Sequence, residues 1–290
     1  RVGLVCIVAA AGAGLAGWAD KLLDPTQIGR FRPTPAVNVI LDSLGVAEET
    51  PVAWAEGEEP QPKDVTATAG DYILRPGTDH LEVALRIANP GSQPIEVQVG
   101  QFVQFGKVIT AFSDRCGGDL ECLSGREDIE WLGADGGDVS YGFTTPAGNP
   151  FSVLLARENI LLVGTSTLQV PAGGHAESLA YVLVGDGTAD DVARQARVLR
   201  GATDLVTVPI HVVAGDTLTD LAGTRIVAKV HGDSTNTRWV SSTRPGSDGQ
   251  VALHLVPGSY DLTLGVPGAP STTVEAVEVT AGMTGTVELV

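Results

Sequence analysis

From His80 onward the chain alternates apolar and polar residues with a period of two, the pattern of a strand with one buried face. Leu81, Val83, Leu85 and Ile87 fall on one side, and Glu82, Ala84, Arg86 and Ala88 on the other. Asn89-Pro90-Gly91-Ser92 is a strong turn sequence, and beyond it Ile95, Val97 and Val99 alternate with Glu96 and Gln98, so a hairpin is predicted. Further strands are predicted over 102–109, 151–155, 160–163, 166–170 and 178–184, with Pro171-Ala172-Gly173-Gly174 as the turn before the last. Together these segments make an antiparallel sandwich of about seven strands. One short helix, DDVARQARVLR, follows them; Thr188 and Asp191 stand at capping spacing before it and Gly201 supplies its stop.

The remainder of the chain repeats the alternation in a second unit. Val206, Val208, Ile210 and Val212 form one stripe, followed by Ile226, Ala228 and Val230, by Val251, Leu253 and Leu255, and by Tyr260, Leu262 and Leu264. Asp248-Gly249 and Pro257-Gly258 are the expected hairpin turns. The fold class is therefore all-β, two antiparallel sandwiches in tandem, the first over 71–202 with the helix at its end and the second over 203–290.

The N-terminal quarter breaks this pattern. Residues 2–19 carry no charge, follow Arg1 and end at Asp20, the layout of a secretory h-region. Segment 1–24 is expected to be an apolar helix serving as signal or membrane anchor, with a buried Ala/Gly helix as the alternative. Residues 25–70, broken by prolines and by the acidic run EGEEPQPK, are expected to form an exposed leader. Leu15-Ala16-Gly17 resembles a bacterial lipobox but is followed by Trp18 instead of the cysteine that would take lipid.

Composition narrows the partners. With 35 acidic residues against 18 Lys plus Arg the net charge is −17, a field that repels phosphate backbones and excludes nucleic acid as a partner. Cys116 and Cys122 enclose GGDLE; in an oxidising compartment a disulfide is the first expectation, with free thiols as the alternative. The region from Asp114 to Asp138 is the most acidic part of the chain and is read as a loop. Asp114, Asp119 and Glu121 are its candidate calcium ligands, against a merely solvated acidic loop. Trp131 and Trp239 are candidate carbohydrate-stacking platforms, with partly buried packing as the alternative. His211, His231 and His254 all fall on the polar parity of their strands and would converge on a metal only if those strands were neighbours. No nucleophile elbow, zinc-binding helix motif, phosphate loop or dinucleotide fingerprint occurs.

Three stretches resemble known families. SDGQVALHLVPGSYDLTL, with the tail TVEAVEVTAGMTGTVELV, resembles carboxypeptidase regulatory-like, transthyretin-like modules over residues 205–290, which implies a stability or adhesion unit. VALRIANPGSQPIEV, DVSYGF and YVLVGDG resemble the β-domain that precedes the catalytic part of secreted PHP-type metallohydrolases. LDPTQIGRFRPTPAVNVILDSLGVAEE and DYILRPG resemble the N-terminal leader of planctomycete-type polysaccharide-export proteins.

The resulting expectation is a non-catalytic, exported cell-envelope protein, without a resident cofactor unless calcium fills the acidic loop. It would bind or scaffold an envelope glycan or protein, attached to the membrane where residues 2–19 serve as anchor. Two alternatives stand beside it: an accessory part of a PHP-type metal-dependent hydrolase lacking its catalytic half, and a subunit that assembles into surface fibres through its edge strands.

Overall fold

The computed structural model describes residues 6–11, 66–74, 78–104, 110–118, 120–135, 139–157, 160–213, 221, 223–233 and 239–290. They are mostly strands in several antiparallel sheets, as an all-β chain requires. In chain order the first elements are β1 (Cys6–Ala11), β2 (Thr66–Leu74), β3 (His80–Ala88), β4 (Ile95–Gln104), β5 (Thr110–Ser113), α1 (Leu120–Leu123), β6 (Arg126–Ile129), β7 (Trp131–Asp135) and β8 (Ser140–Thr144). They continue with β9 (Phe151–Arg157), β10 (Ile160–Val170), β11 (His175–Gly185), α2 (Ala189–Leu199), β12 (Val206–Val212), β13 (Arg225–Val230) and β14 (Trp239–Thr243). The last are β15 (Gln250–Leu255), β16 (Gly258–Gly265), β17 (Thr272–Val279) and β18 (Val287–Leu289). Among the described residues no helix is long and apolar enough to cross a membrane.

Two compact units divide the chain: Arg1–Val108, Ser124–Asp128 and Gly148–Val182 form the first, and Ile109–Leu123, Ile129–Ala147 and Leu183–Val290 the second. In the first, strands run in the order β1-β4-β10-β9-β6, and β2 pairs antiparallel with β3. The predicted stripe on β3 is buried at Val83, Leu85 and Ile87, while Arg86 is exposed and pairs with Glu177. Leu85 and Ile87 pack with Val170 of β10 and with Ile95 of β4. Asn89 holds the predicted turn: its side-chain oxygen accepts from Gly91 N–H at 3.0 Å, and its amide donates to the carbonyls of Gln93 and Val170. With both ends of its amide hydrogen-bonded, the buried asparagine is tolerated in an apolar setting.

Three expectations are corrected here. Of the segment 2–19, only Cys6–Ala11 lies among the described residues, and it is a strand paired antiparallel with β4 (Cys6 opposite Gln104), not a helix. A ladder to β4 supplies the backbone partners that a helix would have supplied internally. Thr66–Gly70, assigned to the leader, is the start of β2. The two strands predicted at 160–163 and 166–170 are one, β10, whose register shifts between Gly164 and Thr167, where the pattern had broken.

The second unit holds strands in the order β8-β7-β5 and two further sheets, β15-β12-β18 and β14-β13-β16-β17. These last two are β-sandwich-like: Val208, Ile210, Leu253, Leu255 and Leu289 from one meet Ile226, Ala228, Tyr260, Leu262 and Val279 from the other in one core. Helix α2 forms as its caps predict, with Thr188 Oγ1 accepting from Asp191 N–H at 3.2 Å. Gly201, at φ 91°, takes the left-handed stop.

This helix belongs to the second unit, and the expected division between 202 and 203 is therefore misplaced. Its buried face, Ala189, Asp190, Val192, Ala193, Gln195 and Ala196, packs on β7, β8, β14 and β15. The region 114–138, read as a solvated loop, contains α1, β6 and β7. Ile129, Trp131, Leu132 and Ala134 turn inward, while Glu127 and Asp128 stay exposed.

Candidate functional site

A dense polar cluster of the second unit is built on α2. Asp190 and Arg197 lie seven positions apart on the helix, two turns, and so share a face. Asp191 gives its backbone N–H to the Thr188 cap and its carboxylate to Arg194, whereas Asp190 points inward and is 3% exposed. Its Oδ1 accepts from Ser241 Oγ at 2.5 Å and from His254 N–H at 2.9 Å; its Oδ2 stands 2.6 Å from His254 Nδ1. Arg197 donates from Nη1 to the His254 carbonyl and from Nη2 to the Val240 carbonyl, both at 2.8 Å. Burial lowers the Arg197 pKa, with Asp190 opposing, yet a guanidinium keeps its charge at any physiological pH.

A carboxylate on Nδ1 fixes an imidazole's tautomer and leaves Nε2 as the acceptor, the preparation seen in catalytic Asp–His pairs. The His254 side chain is 30% exposed, so that nitrogen is not sealed from water. A triad would also need a nucleophile bonded to the imidazole, but Ser241 gives its hydroxyl to Asp190. What the arrangement does directly is tie one helix to two strands, β14 through Ser241 and Val240 and β15 through His254.

A second group of charges lies at the start of β7. Asp114 Oδ1 accepts from the backbone N–H of Glu130 at 3.2 Å, and its Oδ2 is 3.1 Å from Arg115 Nε. Burial pushes its pKa up to about 6, against the opposing pull of Arg115. Because the folded value lies above the ordinary one, the folded state holds this proton more tightly between about pH 4 and 6. The stability owed to the group therefore falls as pH rises through that window. The stability difference between wild type and Asp114→Asn, measured by urea unfolding, should shift in the variant's favour by about 2–3 kcal/mol from pH 4 to pH 7. A difference that is flat across those pH values would contradict the burial of a charge here.

Of the residues expected to carry function, Cys116 and Cys122 are brought together, their sulfurs 2.08 Å apart and their Cα atoms 5.6 Å. Asp114, a candidate calcium ligand, spends its oxygens on Glu130 and Arg115. Glu121 stands in α1, and Asp119 lies outside the described residues. Among the described residues no three His, Cys, Asp or Glu side chains are grouped so as to hold a metal ion.

Trp131, expected as a stacking platform, is corrected to a core residue. It is 2% exposed, with its ring edge-on to Phe112 at 6.0 Å, and a glycan cannot reach it. Trp239 is half-buried, 5.7 Å from the same Phe112. The three histidines do not converge. His211 and His254 lie on neighbouring strands but four positions apart along the ladder, about 13 Å, since His211 faces Gln250 and His254 faces Thr207. His231 follows β13 in the other sheet and pairs with Asp261 at 2.7 Å.

The sequence pattern passed over Asp190, Arg197 and Ser241. One signal was available: Thr188 and Asp191 already stand at capping spacing, which leaves Asp190 as a second acid two turns before Arg197 on the same helix face.

No protein-family model matches the chain, and no curated protein matches it. Among solved structures it is similar to the Slr1438 protein from Synechocystis sp. PCC 6803, at 14% identity and a TM-score of 0.29, over 40% of this chain and 54% of that one. It is also similar to a polysaccharide lyase, at 13% identity and a TM-score of 0.28, over 78% of this chain and 36% of that one. A third is the Bacillus anthracis TIE protein, at 11% identity and a TM-score of 0.21, over 88% and 48%. The chain thus spans from about a third to about half of the length of the structures it matches.

Proposed function

We propose that this chain is a non-catalytic, exported cell-envelope protein of two tandem β-sandwich modules, the C-terminal one transthyretin-like, that scaffolds or binds an envelope glycan or protein. The observation that carries the reading is the use made of the Asp190 carboxylate. The group best prepared for chemistry is held on Ser241 and on the backbone and ring of His254, between a helix and two strands. Export is supported by the Cys116–Cys122 bridge, since such bonds persist in oxidising compartments.

Two measurements test it. Protein taken from its native cells and alkylated before reduction should show no free thiol at Cys116 or Cys122; full labelling at both would contradict export. The purified chain supplied with zinc or manganese should leave phosphoester substrates intact and should sediment with isolated cell-wall polysaccharide. Chelator-sensitive turnover would overturn the non-catalytic reading.

A further inference from the structure

Strands β14 and β15 are each the outermost strand of a sheet, so each presents backbone N–H and C=O groups that its own sheet does not pair. Such a row is a template for another strand, and identical chains satisfy it most simply by pairing the same edge across a two-fold axis. In an antiparallel ladder every second residue directs its N–H and C=O away from its partner strand. His254 is such a residue on β15: Asp190 Oδ1 takes its N–H at 2.9 Å, and Arg197 Nη1 gives to its carbonyl at 2.8 Å.

A neighbouring strand would offer that residue the same two things, an acceptor for the N–H and a donor for the C=O. On β14 the situation repeats at Val240, the extra residue of a bulge between the pairs Ala228–Ser241 and Lys229–Trp239. Its carbonyl receives Arg197 Nη2 at 2.8 Å. One guanidinium thus serves an outer strand from each sheet, and the Asp190 carboxylate on the same helix face serves the same two strands through Ser241 and His254.

We infer that α2 is an edge guard: Asp190 and Arg197 stand in for a missing strand along β15 and β14 and so keep this edge from pairing with the same edge of a second copy. A helix that merely covered apolar surface would have no need of a charged pair aimed at strand backbone, which is costly to bury. Asp190 is nearly fully buried, and the groups it faces are the strand N–H, Ser241 and the His254 ring, not solvent.

The test compares the full chain with the double variant Asp190→Ala/Arg197→Ala by light scattering after size exclusion, across concentrations of ~1 to ~100 µM. The wild type should keep the mass of a single 29.9 kDa chain. The variant, folded by far-ultraviolet circular dichroism, should rise with concentration to about twice that mass or more, while the amides of β15 stay protected from hydrogen exchange in the associated form. If the double variant does not fold, Arg197→Met, which keeps the aliphatic stem and removes both donors, decides on the same readout. A folded variant that stays monomeric, or a wild type that already associates through β15, overturns the inference. So does rapid exchange of the His254 amide in the native protein, because a guarded edge must protect that proton.

Discussion

Replacing Asp190 with alanine is expected to destabilise the second unit by about 3–4 kcal/mol, read as a fall in the urea midpoint without change in slope. Three donors would lose one acceptor: Ser241 Oγ, the His254 N–H and, through Nδ1, the His254 ring. Arg197 would remain buried without the charge that favours it most, and charges left in that position cost more than the pair gained. Asp190→Asn keeps an acceptor for the backbone N–H and should cost roughly half as much. A loss under about 1 kcal/mol for the alanine variant would mean that water replaces the carboxylate, and that the cluster does not hold the helix.

The second large effect is at Trp131. Trp131→Ala should cost about 3–5 kcal/mol, because removing a fully buried indole leaves a cavity that its neighbours fill only in part. Phe112, 1% exposed, is held against Gly133, where even a Cβ would come within 2.4 Å of the ring. The Phe112 ring therefore cannot sink further toward Gly133. Trp239→Ala, from a half-buried site, should cost about 1–2 kcal/mol. If carbohydrate retention fell in the Trp131 variant while its melting temperature stayed unchanged, the ring would be a ligand platform and the packing account would be wrong.

Much of the fold was readable in the chain, because a two-residue period forces the apolar side of each strand inward. Val83, Leu85 and Ile87, and then Val206, Val208, Ile210 and Val212, are buried as their alternation demands. Pairing of the two cysteines, the first expectation for an oxidising compartment, is present. What could not be read was anything set by contacts between distant segments. The helix was placed at the end of the first sandwich because it follows β11 in sequence, but its partners include Ser241 and His254, more than fifty positions on.

Parity shows the same limit. His254 does lie opposite the apolar stripe of β15, but that side of the strand meets α2, not solvent alone. Trp131 stands in an acidic stretch that looked solvated, and only the pairing of β7 with β5 and β8 turns it inward. Asp190 was hidden by its neighbour, since Thr188 and Asp191 already stand at capping spacing.

The most direct test of the claim that this polar cluster is architecture is a double-mutant cycle between Asp190→Ala and His254→Ala, followed by equilibrium unfolding. The two residues hold each other across the helix–strand contact, so the account predicts a coupling of about 1–3 kcal/mol, the double variant losing less than the two singles together. Losses that add to within about 0.5 kcal/mol would show that Asp190 and the His254 side chain do not support one another, and would contradict it.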